Sequence, residues 1–387
     1  MQFITLLLSV TFCLSKTLLL VPKPHTLSVF DIDEFNAEHD IYEFVKINDF
    51  VVYKTESTDY LNTLDQLFYV EQEQVYSVSF LDNLYYTFLE NVDVLFNETE
   101  SSVPWHLGRI IKHDLPLNNT FNYLKCNTNN DIIVNNIVID TGIDIHHPEF
   151  EGRVTWLDNF ADDSDKDGNS HGTHCAGLIG SKTFGVCKDA NLFAIKVLGS
   201  DGSGTTSGVI AGINAAFKHH LKTKANNKSK VVKTVVSMSL GGGKSIALNK
   251  AVQATLKDPN FYFAAAAGNE NNDACGTSPA SVKEIFTVMA SDSNDKRAYF
   301  SNYGICADIY SPGVDIESTI PNGKTAVYSG TSMSTPVFVG VLTHYINMYP
   351  ELAMKEMKTK ILSDATKDHI KSNRGKTNNL LVYLERV

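Results

Sequence analysis

Apolar residues along this chain keep two different rhythms. From Trp105 onward the clearest signal is a series of short apolar runs: Asn136–Ile139, Leu192–Leu198, Thr234–Leu240, Asn260–Ala266 and Ile285–Ala290. Each is too short for an independent helix and reads as a strand buried on both faces. Helical stretches lie between them, notably Thr205–His220, Ser245–Lys257 and Ser332–Met348. This alternation predicts an α/β fold, a parallel sheet with helices on both faces. In open sheets of this class a site forms beyond the carboxyl ends of the strands.

Residues 16–100 are patterned differently: rich in Asp, Glu, Tyr and Phe, and poor in Gly. Period-two segments Glu43–Tyr53 and Gln74–Phe80 predict strands, and Thr58–Phe68 and Leu81–Leu89 predict short helices. A small α+β unit thus precedes the main domain, residues 101–387. Residues 1–15 hold an apolar run, Phe3–Leu14, that is too short to span a bilayer. With small Cys13 and Ser15 at the spacing expected before a signal-peptidase cut, the run reads as a secretory signal peptide. No later stretch is apolar enough to cross a membrane, so no membrane span is expected in the mature form.

Charge narrows the partners. Lys and Arg total 33 against 44 Asp and Glu, a net charge of -11. Phosphate binding wants clustered cations, so a nucleic-acid partner is not expected. The local run Lys222, Lys224, Lys228, Lys230, Lys233 reads as a solvated helix end and loop. Secretory entry permits disulfides. Once Cys13 leaves with the signal, five cysteines remain, so at least one is unpaired.

Three motifs carry chemistry, in the order Asp, His, Ser. Ile137-Val-Ile-Asp140-Thr-Gly142 is a strand ending on a carboxylate. His171-Gly-Thr-His-Cys-Ala-Gly177 opens a segment of small residues suited to close packing. Gly330-Thr-Ser332-Met-Ser-Thr-Pro336 starts a long apolar helix, with Pro336 expected in its first turn. A hydroxyl is a poor nucleophile at neutral pH; an imidazole must take its proton and a carboxylate must hold the imidazole. Asn269, in Ala265-Ala-Ala-Gly-Asn269, is a candidate donor to a developing oxyanion. No cofactor is needed for such chemistry.

The neighbouring motifs have blander readings. His174, three residues after His171, lacks the intervening acid of a helix-borne zinc pair and reads as structural. Asp163, Asp165, Asp167 and Gly168 imitate the opening of a calcium loop, but position 174 is not the closing Glu, so a solvated acidic loop is expected. Gly241–Ser245 fails as a phosphate loop because its leading Gly would fall on Met238.

With the quoted motifs and their order, the sequence resembles the subtilisin-like serine proteases, and within them the proteinase K branch and its yeast vacuolar relatives. Supporting stretches are Ser239-Leu-Gly-Gly-Gly243, Asp273-Ala-Cys-Gly-Thr-Ser-Pro-Ala-Ser281, Arg297-Ala-Tyr-Phe-Ser-Asn-Tyr-Gly304 and Asn379-Leu-Leu-Val-Tyr383. The leader resembles the inhibitory (I9-like) propeptide more loosely, mainly through Phe88-Leu-Glu-Asn-Val-Asp-Val-Leu-Phe-Asn97. Departures lie at Ser334, where the family usually has Ala, and at Val337, Phe338 and Val339 behind the nucleophile.

The resemblance implies a secreted serine endopeptidase made as a self-processing zymogen. Extracellular delivery is expected, with a lytic vacuole as the alternative. It implies a monomer whose partners are protein or peptide substrates and its own propeptide. Catalytic roles fall to Asp140, His171, Ser332 and Asn269. An extended peptide would be held between Gly202-Ser203-Gly204 and Ser239-Leu240-Gly241. Ala266, Ala267 and Gly268 would wall a neutral primary pocket, giving broad, apolar-leaning specificity. A structural calcium ion is expected on the carbonyls of Lys283 and Ile285 and the carboxylate of Asp308. Cys275–Cys306 is the expected disulfide; Cys126 and Cys187 are candidates for a second, and Cys175 for the free thiol. Sequons at Asn97, Asn118 and Asn227 could carry glycans. The first cut is expected between Asn97 and Val103, with Val103 opening the mature enzyme. A catalytically dead binding protein and an esterase are the rival readings.

Overall fold

The computed structural model describes residues 17–24, 40–57, 64, 65, 67–78, 103–117, 121, 126, 129–162 and 164–385. In the leader, β1 (Leu18–Pro22), β2 (Tyr42–Ile47), β3 (Phe50–Thr55) and β4 (Phe68–Gln72) form an antiparallel sheet in the order β2-β3-β1-β4. A short strand, β5 (Val75–Ser77), follows outside that sheet. The Glu43–Tyr53 segment, read as one strand, is a hairpin. Asn48 turns it with φ 53°, a left-handed conformation that Asn tolerates. In the Thr58–Phe68 stretch only Leu64, Asp65 and Leu67 are described as helical, and Phe68 already opens β4; Leu81–Leu89 lies outside the described residues.

The main body begins with helix α1 (Trp105–Ile110). The central sheet takes β6 (Ile132–Asp140), β7 (Val154–Asn159), β8 (Asn191–Lys196), β10 (Val231–Met238), β12 (Phe261–Ala266), β14 (Phe286–Ser291) and β15 (Ile309–Pro312). Short β18 (Thr366–Lys367) and β19 (Leu380–Leu381) complete it. Among the described residues its order is β18-β19-β15-β14-β12-β10-β6-β8-β7, parallel throughout except for β18 on β19. The small pieces β9 (Ser203–Thr205), β11 (Gly242–Gly243), β13 (Thr277–Ser278), β16 (Ile316–Ile320) and β17 (Lys324–Tyr328) lie outside this sheet.

The expected apolar runs are the inner strands. In β12 every residue is buried, because both faces carry helices. One face packs α2 (His171–Gly180), α5 (Thr331–Met348) and α6 (Met354–Asp364) against Val138, Val235 and Tyr262. The other packs α3 (Thr206–Asn226) and α4 (Ile246–Thr255) against Ile137, Val236 and Phe263. Neighbours in sequence point to opposite faces, as a pleated strand requires. Among the described residues no helix is long and apolar enough to cross a membrane.

The leader sheet roofs α3 and α4. Leu19, Val21, Val45, Ile47 and Val52 join the same buried cluster as Val209, Ile213, Leu248 and Val252. Two leader carboxylates sit at the helix starts. Glu71 Oε2 accepts the Ile246 N–H at 2.7 Å, and Glu73 accepts the Ser207 N–H at 3.3 Å. Both satisfy orphan donors where the helix dipoles are positive.

Candidate active site

Asp140 is the last residue of β6, at the carboxyl edge of the sheet. It is fully buried; its Oδ1 accepts the Thr141 N–H at 2.7 Å and lies 2.8 Å from His171 Nδ1. The approach depends on glycine. A Cβ at Gly172 would stand 2.0 Å from the Gly142 carbonyl, so any larger residue would push α2 off the β6 turn.

Asp167 was expected in a solvated loop, yet only Asp165 behaves that way. Asp167 is buried and accepts from Thr141 Oγ1 (2.8 Å), Asn169 N (3.0 Å), Ser170 N (2.8 Å), Thr173 N (2.9 Å) and Thr173 Oγ1 (2.6 Å). It therefore fastens the first turn of α2 to the end of β6 and sets the height of His171. Asp163 lies outside the described residues. His174 is structural: its Nε2 donates to the Ala326 carbonyl at 3.1 Å, its ring stacks on Tyr328, and burial lowers its pKa to about 3.

Ser332 is the second residue of α5, and its hydroxyl donates to the Ser239 carbonyl at 3.0 Å. Pro336 is not in the first turn but stands at the sixth helical position. A helical N–H at 336 would serve the carbonyl at 332, and proline has none. That carbonyl is instead taken by Ser239 Oγ–H at 2.9 Å and the Cys175 thiol at 3.4 Å. Cys175 is buried and free, and burial raises its pKa. Its sulfur also lies 3.8 Å from His171 Nδ1, so one side chain touches both the His171 ring and the Ser332 backbone.

Asn269 follows β12. Its Oδ1 accepts from Thr331 N–H and Thr331 Oγ1–H, each at 2.9 Å, which leaves the Nδ2 end of the amide to face the cleft. Gly268 precedes it with φ 101°, where a Cβ would stand 2.3 Å from Asn302 Nδ2.

A cleft of about 380 Å³ runs past these groups, lined by Ser239, Leu240, Gly241, Ala266, Gly268, Asn269 and Ser332 among others. Ala267 is fully buried behind it and is not among the lining residues. Glu270, which the sequence reading did not single out, is exposed at the cleft, with Oε2 accepting from Asn302 Nδ2 at 2.7 Å. The leader enters the same cleft. β5 pairs antiparallel with β9 in the register Val75–Thr205, Tyr76–Gly204, Ser77–Ser203. Ser77 N donates to Gly241 O at 3.3 Å and Val78 N to Gly202 O at 2.9 Å. Gly202–Thr205 on one side and Gly241 on the other thus flank an extended leader segment.

Cysteines pair as Cys275–Cys306 and Cys126–Cys187, with Cα atoms 5.2 and 5.7 Å apart. The Lys283 and Ile285 carbonyls and the Asp308 carboxylate do converge, but around the ammonium of Lys358 rather than an open cavity. Phe338 packs against Phe286 with ring centroids 4.7 Å apart, and Val337 and Val339 are buried, so these departures belong to the core.

The model of the Subtilase family matches residues 134–382. A subtilisin-like serine protease of Rhodotorula mucilaginosa is 43% identical over 294 residues, 72% of this chain and 85% of that protein. Alkaline protease 2 of Aspergillus fumigatus is 44% identical over 300 residues, covering 73% of this chain and 60% of its own. Cerevisin of Saccharomyces cerevisiae is 42% identical over 301 residues, 74% of this chain and 47% of that protein. Among solved structures, a cold adapted subtilisin-like serine proteinase matches with TM-score 0.67 and 38% identity, over 74% of this chain and all of its own. With the family model spanning well over half of the chain, this protein belongs to the subtilase family of serine proteases, hydrolases that act on peptide bonds.

Proposed function

We propose that the chain is the zymogen of a secreted subtilisin-like endopeptidase whose leader occupies its own substrate cleft until it is cut. The observation that carries this reading is the strand Val75–Ser77, paired with Ser203–Thr205 on one side and bridged to Gly241 on the other. Main-chain pairing of this kind holds an extended peptide regardless of sequence.

In the reaction, Ser332 Oγ attacks the scissile carbonyl carbon while His171 takes its proton. Asp140, bonded to Nδ1, holds the ring and stabilises the imidazolium. The tetrahedral oxyanion is met by the Asn269 amide and the N-terminal end of α5. His171 returns the proton to the leaving amine, giving an acyl-enzyme on Ser332. Water then attacks the ester with the same base and releases the acid. Ala266 and Gly268 offer a neutral primary pocket, which favours apolar side chains, and Glu270 places one carboxylate at its rim.

The register in the cleft supports a first cut upstream of the expected stretch. Val78 lies with Ser332 and Asn269 around the same cavity. The scissile bond therefore falls within the few residues after Val78, upstream of the Asn97–Val103 stretch. Residues from there to Val103 would be removed in a second step. Amino-terminal sequencing tests this: the first product should begin close to residue 80, and a Ser332→Ala chain should keep its leader. A first product beginning between 97 and 103, or normal processing of Ser332→Ala in a host lacking other active proteases, would refute it.

A further inference from the structure

The oxygen cradle at Lys283, Ile285 and Asp308 has an occupant from the chain itself. Lys358, on α6, donates from Nζ to the Lys283 carbonyl at 3.0 Å, to Asp308 Oδ2 at 2.8 Å and to the Ile285 carbonyl. An ammonium has three N–H bonds, and all three are used here. Both side chains are largely enclosed, Lys358 at 17% exposure and Asp308 at 15%. Asp308 Oδ2 is also held by the Thr287 N–H at 2.8 Å.

A calcium ion takes six to eight oxygen ligands and would have to displace this ammonium, whose charge repels it. The residues present do not fit the metal. We infer that Lys358 is the resident cation of the cradle: its ammonium performs the bracing that a bound divalent ion would, and no calcium binds at these residues. The brace matters because Thr287, tied to Asp308, lies on β14 opposite Ala265, one strand behind the cleft wall.

The test uses full-length protein carrying Ser332→Ala to suppress autolysis, with thermal unfolding followed in chelator and in millimolar calcium. Other calcium sites are separated out by Asp308→Asn, which should leave any calcium response of the parent unchanged. Lys358→Ala should unfold roughly 5–10 °C lower in chelator, because it strands an enclosed carboxylate. Added calcium should restore much of that loss, and Asp308→Asn in the same chain should abolish the rescue. Should Lys358→Ala fail to fold, Lys358→Arg keeps the charge and should fold and remain indifferent to chelator. Three results overturn the inference: a calcium-dependent rise in the parent that Asp308→Asn abolishes, a Lys358→Ala protein as stable as the parent in chelator, or a deficit that calcium leaves untouched.

Discussion

Proline at 336 removes the one helical hydrogen bond that would have closed on Ser332, and two other side chains take its place. Ser239 is reciprocal, its hydroxyl donating to the Ser332 carbonyl while its own carbonyl accepts the Ser332 hydroxyl. Ser239→Ala should therefore lower kcat about tenfold, roughly the 1.4 kcal/mol of one net hydrogen bond, with KM little changed. Active-site titration separates that effect from a loss of folded enzyme. Asn269→Ala should cost more, about 10²–10³-fold in kcat, the magnitude known for subtilisin itself on removal of one such donor. The Asp, His and Ser motifs were legible because each is local in sequence. Asp167 was not. Its spacing matches an acidic loop, and only the approach of Thr141, 26 residues earlier, turns it into a buried acceptor.

At the level of elements, α1 shows how a short helix can be held without length. Arg109 is 1% exposed and pairs with Asp295 through Nε at 2.6 Å and Nη2 at 3.0 Å. Replacing Arg109 with Met leaves that carboxylate buried and unpaired, so unfolding free energy should fall by about 3–5 kcal/mol while kcat per active site is retained. His106, also on α1, donates Nε2–H to the Phe184 carbonyl at 2.9 Å, and burial lowers its pKa from 6.5 to about 4. In the unfolded chain the ring takes its proton near pH 6.5, in the folded chain only near 4. Stability is therefore complete above that upper value and declines as pH falls between the two, by roughly 3 kcal/mol. His106→Gln keeps the donor and removes the titration, so the decline in Tm from pH 7 to pH 4.5 should be shallower. The inner strands were readable because burial on both faces makes them continuously apolar. The leader hairpin was not, because its turn at Asn48 carries no glycine or proline to interrupt the alternation.

At the scale of the whole molecule, the pairing of β5 with β9 joins segments more than a hundred residues apart, and Val75–Ser77 alternates like any other strand. Nothing local marks it as cleft-bound. The same is true of Lys358, whose partner Asp308 lies 50 residues away in sequence. Separately produced residues 17–78 should be largely unfolded by circular dichroism and should gain structure on adding the mature enzyme carrying Ser332→Ala. A leader that folds alone would contradict this. The expectation rests on the shared core: among the described residues one face of the leader sheet has Leu20, Ile41, Tyr53, Leu64 and Phe68 as its own buried cluster, and the other is completed by α3 and α4. Detachment after cleavage then leaves a chain fragment without half of its interior, open to digestion by the enzyme it has just uncovered. Under the proposed self-cleavage each departure is consumed before it can reverse, and activation becomes a ratchet driven forward by the instability of the piece that is shed.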